Sequence, residues 1–508
     1  MIAVYGEWQS EAAFMMKPRV KAGNAVGAAV HRPAAVDWAL VSLALAMLLS
    51  SLGTSIASVG LPTLAQAYQA SFQAVQWVVL AYLIAITTLI VSVGWLGDVI
   101  GRRRLLLVGI GLFTTASALC GAAPTLGALI AARVAQGLGA AIMMALALAL
   151  VGEAVAKDRR GSAMGLLGSM SAIGTALGPS LGGLLITELG WRAMFWFNPP
   201  LGVLAGLLAY RYLPGDGLAP KANLRDFDFG GMLLLAVTLA AYALAMTAGQ
   251  GGAGWRNGGL LLLALVAGGF FVWLETRVAS PLIRLGMFRD PVLSAGLTTS
   301  ALVASVIMAT LVVGPFYLAR TLGLDAVLVG LLMSAGPAAA ALGGVPAGRL
   351  VDRLGAPPLT LVGLAGMAVG SSMLWLLPPA LGAVAYVVPL VIITTSYALF
   401  QTANNTAVAA DARPDQRGVI SGMLSLSRNL GLITGASLMG AVFAYGARAT
   451  DVTLASAVSV AAGMQMTFGV ATGLICVAIV VAWAGRRRLL PAPADVAEAA
   501  SSMPGGGS

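Results

Sequence analysis

The chain has 508 residues, 59% of them hydrophobic and only 9% charged, with a mean hydropathy of +0.91; soluble globular proteins carry about 25% charged residues, so a water-soluble fold is excluded. The net charge of +10 does not mark a nucleic-acid-binding face, because Lys and Arg sit in short clusters between apolar runs. Cys120 and Cys476 both lie inside apolar runs and read as small buried hydrophobes, and the single histidine, His31, leaves no basis for a histidine-centred site.

Residues 1–35 are polar and rich in Gly and Ala, with no apolar core of signal-peptide length, and are expected to form a disordered cytoplasmic tail. A spanning helix needs roughly 20 apolar residues. Runs of that kind fall near 38–61, 75–97, 105–123, 127–151, 163–187, 193–213, 230–248, 258–276, 293–319, 327–347, 359–378, 382–408, 418–446 and 464–485. Fourteen spans with both ends inside would place 23 of the 29 Lys and Arg in the cytoplasmic segments and four in the outer loops, with Arg133 and Arg428 inside spans. That bias matches the positive-inside rule. The tail from 487 to 508 is expected to be disordered as well.

The second and third spans are joined by Gly94-Trp95-Leu96-Gly97-Asp98-Val99-Ile100-Gly101-Arg102-Arg103-Arg104, which reads as a short charged hairpin. A copy stands 254 positions later, with Gly348, Leu350, Asp352 and Gly355 in register and Arg353 beside them. At an offset of 257, Gly165, Gly174, Gly178 and Gly183 of the fifth span meet Gly422, Gly431, Gly435 and Gly440 of the thirteenth. Two parallel halves are therefore expected, an arrangement found in transporters that rock about a central site. Residues 36–213 would form one six-helix bundle and 291–486 the other, with two extra helices in the linker, 214–290.

Further motifs follow the repeat. Leu129–Ala141 in the fourth span contains Arg133-Val134-Ala135-Gln136-Gly137. A membrane-embedded arginine is costly unless it meets water or a partner, so Arg133 is either a functional group or a snorkelling cation. Gly174-Thr175-Ala176-Leu177-Gly178-Pro179-Ser180-Leu181-Gly182-Gly183 bares one helix face and bends it. Trp191–Gly202 includes Asn198-Pro199-Pro200. Gln76, Trp77 and Tyr82 in the second span could wall an apolar ligand. Gln401, Asn404 and Asn405 in the twelfth span, with Arg428 in the thirteenth, either face a cavity or make interhelical bonds.

Taken together these signatures resemble the major facilitator superfamily, specifically its fourteen-helix drug:proton antiporter family, over about residues 38–486. The resemblance implies an all-α polytopic membrane protein with two pseudo-symmetric six-helix bundles, two extra helices, 14 spans and both termini cytoplasmic. It implies export of small amphipathic molecules by alternating access across a bacterial-type inner (plasma) membrane, driven by protons. The Gly-Pro motif of the fifth span marks exporters in that family.

The cytoplasmic gate would comprise Gly94, Asp98, Gly101, Arg102, Arg103, Gly348, Asp352, Arg353 and Gly355. Asp98 would dock near Arg417 and Gly418, and Asp352 near Arg160 and Gly161, at helix starts that favour an anion. Arg133, Gln136, Gly137 and Glu153 would serve coupling.

One departure stands out: Gly53 occupies the position where the family usually carries a first-span aspartate, and no acidic residue falls midway through any span. The expected substrate is therefore neutral, amphipathic or anionic. No enzyme chemistry, metal, cofactor or nucleic-acid partner is expected, and the chain should act as a monomer in the bilayer. A solute importer, a carrier of one neutral or anionic metabolite with atypical coupling, and a non-transporting membrane sensor are the alternatives.

Overall fold

The computed structural model describes residues 33–90, 92–155, 160–216, 228–247, 254–278, 285–409, 417–448, 452 and 455–487. Fourteen helices among them are long and apolar enough to cross a membrane. We number these α1 (Pro33–Val59), α2 (Phe72–Ile90), α3 (Arg102–Ala122), α4 (Leu126–Ala154), α5 (Arg160–Leu189), α6 (Asn198–Tyr212), α7 (Phe229–Thr247) and α8 (Gly254–Glu275). The series continues with α9 (Pro291–Phe316), α10 (Ala326–Leu354), α11 (Ala356–Leu376), α12 (Val384–Ala409), α13 (Arg417–Thr434) and α14 (Ala457–Arg487). The face bearing the first and last helix ends is termed the terminal face, and its opposite the far face.

Local chemistry explains several boundaries. Thr125, Asp290 and Asp325 cap α4, α9 and α10, each side chain accepting from a backbone N–H in the first turn. Pro291 follows Asp290 at the first helical position, where a missing N–H costs nothing. Two helices pass through π turns near the far face: α9 continues into Tyr317–Thr321, and α13 into Gly435–Met439 and then Gly440–Gly446.

The repeat is a physical one. In the first half, Gly174 and Gly178 of α5 lie against α1. A side-chain carbon at Gly174 would sit 2.6 Å from the Leu48 carbonyl oxygen, and one at Gly178 2.9 Å from the Ile56 nitrogen. In the second half, Gly431 and Gly435 of α13 lie against α9 in the same manner, blocked by the Ala301 and Ser305 carbonyls. The Ser55 hydroxyl donates to the Gly174 carbonyl at 3.1 Å, and Ser305 to that of Gly431 at 2.9 Å. Small residues let two backbones meet where packing, rather than a hydrophobic drive, holds helices together.

The two hairpin copies differ from the sequence expectation. Val93–Ile100 is a short helix of its own, and Gly348–Leu354 is the uninterrupted end of α10. The turn in each case is a single glycine, Gly101 at φ 99° and Gly355 at φ 83°. The motif is thus a helix end with a one-residue reversal, and the shared positive φ explains why these glycines recur at one offset. Gly101→Ala and Gly355→Ala should each cost about 1–3 kcal/mol, since extended backbone with positive φ is nearly glycine-only. Thermal unfolding of the purified variants measures this.

Helices α7 and α8 stand outside the repeat. α7 packs on α2 and on the π turn of α13, with Trp77 Nε1 donating to Thr247 Oγ1 at 3.1 Å. α8 packs chiefly on α7; only 17% of its apolar window is buried, against 78% for α1 and α9. Its Leu262, Leu265, Phe270 and Trp273 are exposed, as a lipid-facing helix requires. At the foot of the pair, Asp228 accepts from the Gly231 N–H at 2.7 Å, and Glu275 Oε1 packs over the same glycine.

Three smaller corrections follow. Cys476 is exposed on α14 rather than buried, whereas Cys120 is buried. α14 starts at Ala457, seven residues before the expected 464, and α1 starts at Pro33, inside the segment expected to be tail.

Candidate functional site

Between the two halves, one set of buried contacts lies at the far face. Phe72, at the start of α2, meets Phe316 at 4.8 Å and Phe443 at 5.4 Å between ring centroids, both edge to face. All three rings are buried. One turn deeper, Gln76 Nε2 donates to the Ala436 carbonyl in the α13 π turn at 2.8 Å. Gly440 leaves the space that this amide occupies. Beside it a cavity of about 350 Å³, lined by residues including Gln73, Gln76, Met246, Asn257, Tyr445 and Met466, lies where α2, α7, α8, the continuation of α13 and α14 meet.

The second seam, α5 against α10, closes backbone to backbone. A side-chain carbon at Gly183 would run into the Ala326 carbonyl, and one at Gly330 into the Pro179 carbonyl. The Ser180 N–H donates to Ser334 Oγ at 2.9 Å. The Gly-Pro motif therefore has two working faces: Gly174, Gly178 and Gly182 seat α5 on α1, while Pro179 and Gly183 seat it on α10.

Toward the terminal face the glycines of the same helices are unobstructed. Side-chain carbons built at Gly168 of α5, Gly344 of α10 and Gly422 of α13 meet nothing within 4 Å among the described residues. Gly94 and Gly348, the paired glycines of the duplicated motif, are equally unobstructed. The backbone-close glycine contacts of the inter-half seams thus lie toward the far face, and these terminal-face glycines make none.

The duplicated motif itself sits at this terminal-face end. Asp352 and Arg353 are exposed. The side chains of Asp98, Glu153, Arg160 and Arg417, and the surroundings of Gly161 and Gly418, lie outside the described residues, so the expected aspartate docking falls there too. Arg103 turns into its own bundle: its guanidinium donates to the Tyr210 carbonyl and lies 5.6 Å from the Tyr210 ring centroid. Asp216, just beyond α6, caps the start of α3 by accepting from the Arg103 N–H at 2.8 Å and the Arg104 N–H at 3.2 Å. An anion at a helix N-terminus is favoured by both hydrogen bonding and the helix dipole. Asp216→Ala should therefore lower stability by about 1 kcal/mol, measured by thermal unfolding, with Asp216→Asn losing less.

The two midspan arginines are held differently. Arg133 has no exposed surface. Its Nε donates to the Val78 carbonyl at 2.8 Å, and its Nη1 to the Gly53 carbonyl at 3.0 Å and to Gln136 Oε1 at 2.5 Å. The guanidinium covers the Tyr82 ring at 4.1 Å from its centroid. Gln136 Nε2 donates on to Ser117 Oγ at 2.7 Å, and Tyr82 Oη to the Ser50 carbonyl at 2.7 Å. Gly137 lets α4 lie against the Tyr82 carbonyl of α2. This cluster fastens α1, α2, α3 and α4 together, and Tyr82 is enclosed by it instead of walling an open cavity.

Arg428 is only half-buried, and its Nε finds no hydrogen-bond partner among the described residues. The guanidinium lies beside the Tyr397 hydroxyl of α12. On α12, Gln401 is half-buried and Asn405 exposed, whereas Asn404 is buried and donates to the Gly296 carbonyl of α9 at 3.1 Å. Asn404 is thus a structural interhelical bond, while Gln401 and Asn405 retain access.

Sequence reasoning missed Phe72, Phe316, Phe443, Gly330, Ser334 and Asp216. Nothing in an apolar run distinguishes a plug phenylalanine from a lipid-facing one. Gly330 and Ser334, four residues apart in the tenth span, were the one available signal of a small-residue helix face.

The chain matches the model of the Major Facilitator Superfamily over residues 43–436. It is 32% identical to the multidrug resistance protein Stp of Mycobacterium tuberculosis over 81% of this chain and 76% of that protein. It is 29% identical to the riboflavin transporter RibZ of Clostridioides difficile over 80% of this chain and 88% of that one. Among solved structures, a bacterial homologue of the human lysosomal transporter Spinster, in an inward-facing and unoccupied conformation, superposes with a TM-score of 0.65. That likeness covers 91% of this chain and all of that one at 15% identity, and it is one of fold.

Proposed function

This chain belongs to the Major Facilitator Superfamily and is a multi-pass plasma-membrane transporter; from that premise we propose that it exports small amphipathic molecules from the cytoplasm by alternating access, in exchange for protons. The observation that carries the proposal is the asymmetry of the inter-half seams, with Gly183 and Gly330 in backbone contact at the far face while Gly168 and Gly344 stand free toward the terminal face. In this reading the terminal face, with its arginine clusters, is cytoplasmic. The molecule is then closed to the outside and able to load from within.

Rocking about the central site would part the Phe72–Phe316–Phe443 plug and the Gln76–Ala436 bond. It would bring the free terminal-face glycine Gly94 toward α13 and Gly348 toward α5. Two findings support export over uptake: the Gly-Pro motif seated between the halves, and the relative known as a multidrug resistance protein. The riboflavin transporter among the relatives favours a second reading, in which the cargo is one specific metabolite.

Cells expressing the protein are loaded with ethidium (a cation), chloramphenicol (neutral) or fluorescein (an anion), and efflux is followed with and without a protonophore. Faster efflux of at least one compound, lost on adding the protonophore, is expected. Efflux of none, or efflux indifferent to the protonophore, contradicts the corresponding part of the proposal.

A further inference from the structure

Building on the export reading, we infer that Arg428 selects the cargo by charge, so that this transporter carries amphipathic anions and rejects lipophilic cations. The two midspan arginines divide the work. Arg133 is sealed within a hydrogen-bonded cluster and stacked on an aromatic ring; its Nη2 is unpartnered too, but it has no exposed surface to offer a ligand. Arg428 is half-buried, so part of its side chain stays exposed; its Nε is buried and unpartnered among the described residues, and it lies beside the Tyr397 hydroxyl.

Tyr397, Gln401 and Asn405 recur every four residues, so they share one stripe of α12, and Tyr397 at one end of it lies next to that guanidinium. The stripe offers hydroxyl and amide groups that hydrogen-bond an oxygen-rich ligand, and none of its residues is charged. The acidic residues among the described positions all stand at helix ends or in connections, so no carboxylate neutralises Arg428 within its span. In a low-dielectric setting an uncompensated guanidinium attracts an anion and repels a cation. A carboxylate or phenolate borne on an apolar ring system supplies the missing partner, and the carboxylate can add a bidentate contact.

Fluorescein and rhodamine 123 test this directly, because they share a xanthene ring system and differ in the sign of their charge. Binding of each to the full-length protein in lipid nanodiscs is read by fluorescence anisotropy. The expected result is binding of fluorescein about tenfold tighter or more than rhodamine 123. Arg428→Gln should erase that preference and Arg428→Lys should keep most of it. Should Arg428→Gln fail to fold, Gln401→Glu on the neighbouring stripe should weaken fluorescein binding by a similar factor.

Equal binding of the two dyes, tighter binding of rhodamine 123, or a preference unchanged in both Arg428→Gln and Gln401→Glu overturns the inference. Efflux separates it from the reading beneath it. Selective binding of fluorescein without export leaves Arg428 as the selector and contradicts the exporter. Export of rhodamine 123 in preference to fluorescein contradicts the selector and leaves the exporter standing.

Discussion

Gly330→Leu is expected to reduce transport about tenfold or more while the protein still inserts and assembles. The physical reason is local. In the far-face-closed state the α-carbon of Gly330 lies against the Pro179 carbonyl, and Gly183 lies against the Ala326 carbonyl, so backbone meets backbone on both sides of the seam. A leucine cannot be accommodated by rotating a flexible neighbour, because the obstructing atoms are main chain. Overpacking of this kind costs about 1–3 kcal/mol even in cores that can relax, and each 1.4 kcal/mol is a factor of ten in an equilibrium.

The cost falls on one conformation, so the consequence is a population shift toward the far-face-open form. Gly344→Leu, fourteen residues along the same helix, meets open space here and should bias the molecule the other way, by obstructing closure of the terminal face. Both substitutions impair transport, with opposite effects on far-face accessibility. If Gly330→Leu transported normally, the seam would not be part of the cycle.

The second large effect is at Arg133. Arg133→Ala should destabilise the first bundle by about 3 kcal/mol, since hydrogen bonds to a charged group are worth about 1.5–3 kcal/mol each and partners on three helices are abandoned. Removing the guanidinium strips the Gly53 and Val78 carbonyls of a charged donor beyond their helical N–H, and leaves Gln136 Oε1 with only the Cys120 thiol at 3.9 Å. Arg133→Lys should recover only part of the loss, because an ammonium cannot stack flat on Tyr82 while reaching three acceptors. Thermal unfolding in nanodiscs distinguishes this fastening role from a coupling role. A variant that unfolds like the parent but loses proton-driven efflux would show that Arg133 acts in coupling instead.

The same cluster accounts for Gly53. A side-chain carbon there would sit 2.9 Å from Tyr82 Oη, which occupies the space on its way to the Ser50 carbonyl. The position where the family usually places an aspartate is filled in this chain by the tyrosine hydroxyl. Gly53→Asp should therefore be tolerated only together with Tyr82→Phe.

Much of this architecture was legible from residues alone, for physical reasons that also set the limit. Spanning helices declare themselves because lipid demands about twenty apolar residues at a stretch, and the glycines of α5 and α13 recur because close backbone approach admits little else. Their partners are less visible. Phe72, Phe316 and Phe443 come from three distant segments, and each is one apolar residue among many until the fold brings the rings together. Arg133 and Arg428 looked alike as cations in apolar runs; only three-dimensional neighbours reveal that one is fully enclosed and the other partly exposed. The duplicated motif was legible as a repeat but misread as a hairpin, because its helical residues border a turn that requires glycine at a single position.

The central claim is that the far-face seam opens as the terminal face closes. Distances between paired spin labels test it most directly, with Cys476 replaced by serine to remove the exposed native thiol. Leu189 of α5 and Leu328 of α10 report the far face, while Met164 and Leu350 of the same helices report the terminal face; all four side chains are exposed. On adding a transported compound or stepping the pH, the Leu189–Leu328 distance should lengthen while the Met164–Leu350 distance shortens. Two distances that stay constant, or that change in the same direction, would contradict alternating access by this seam.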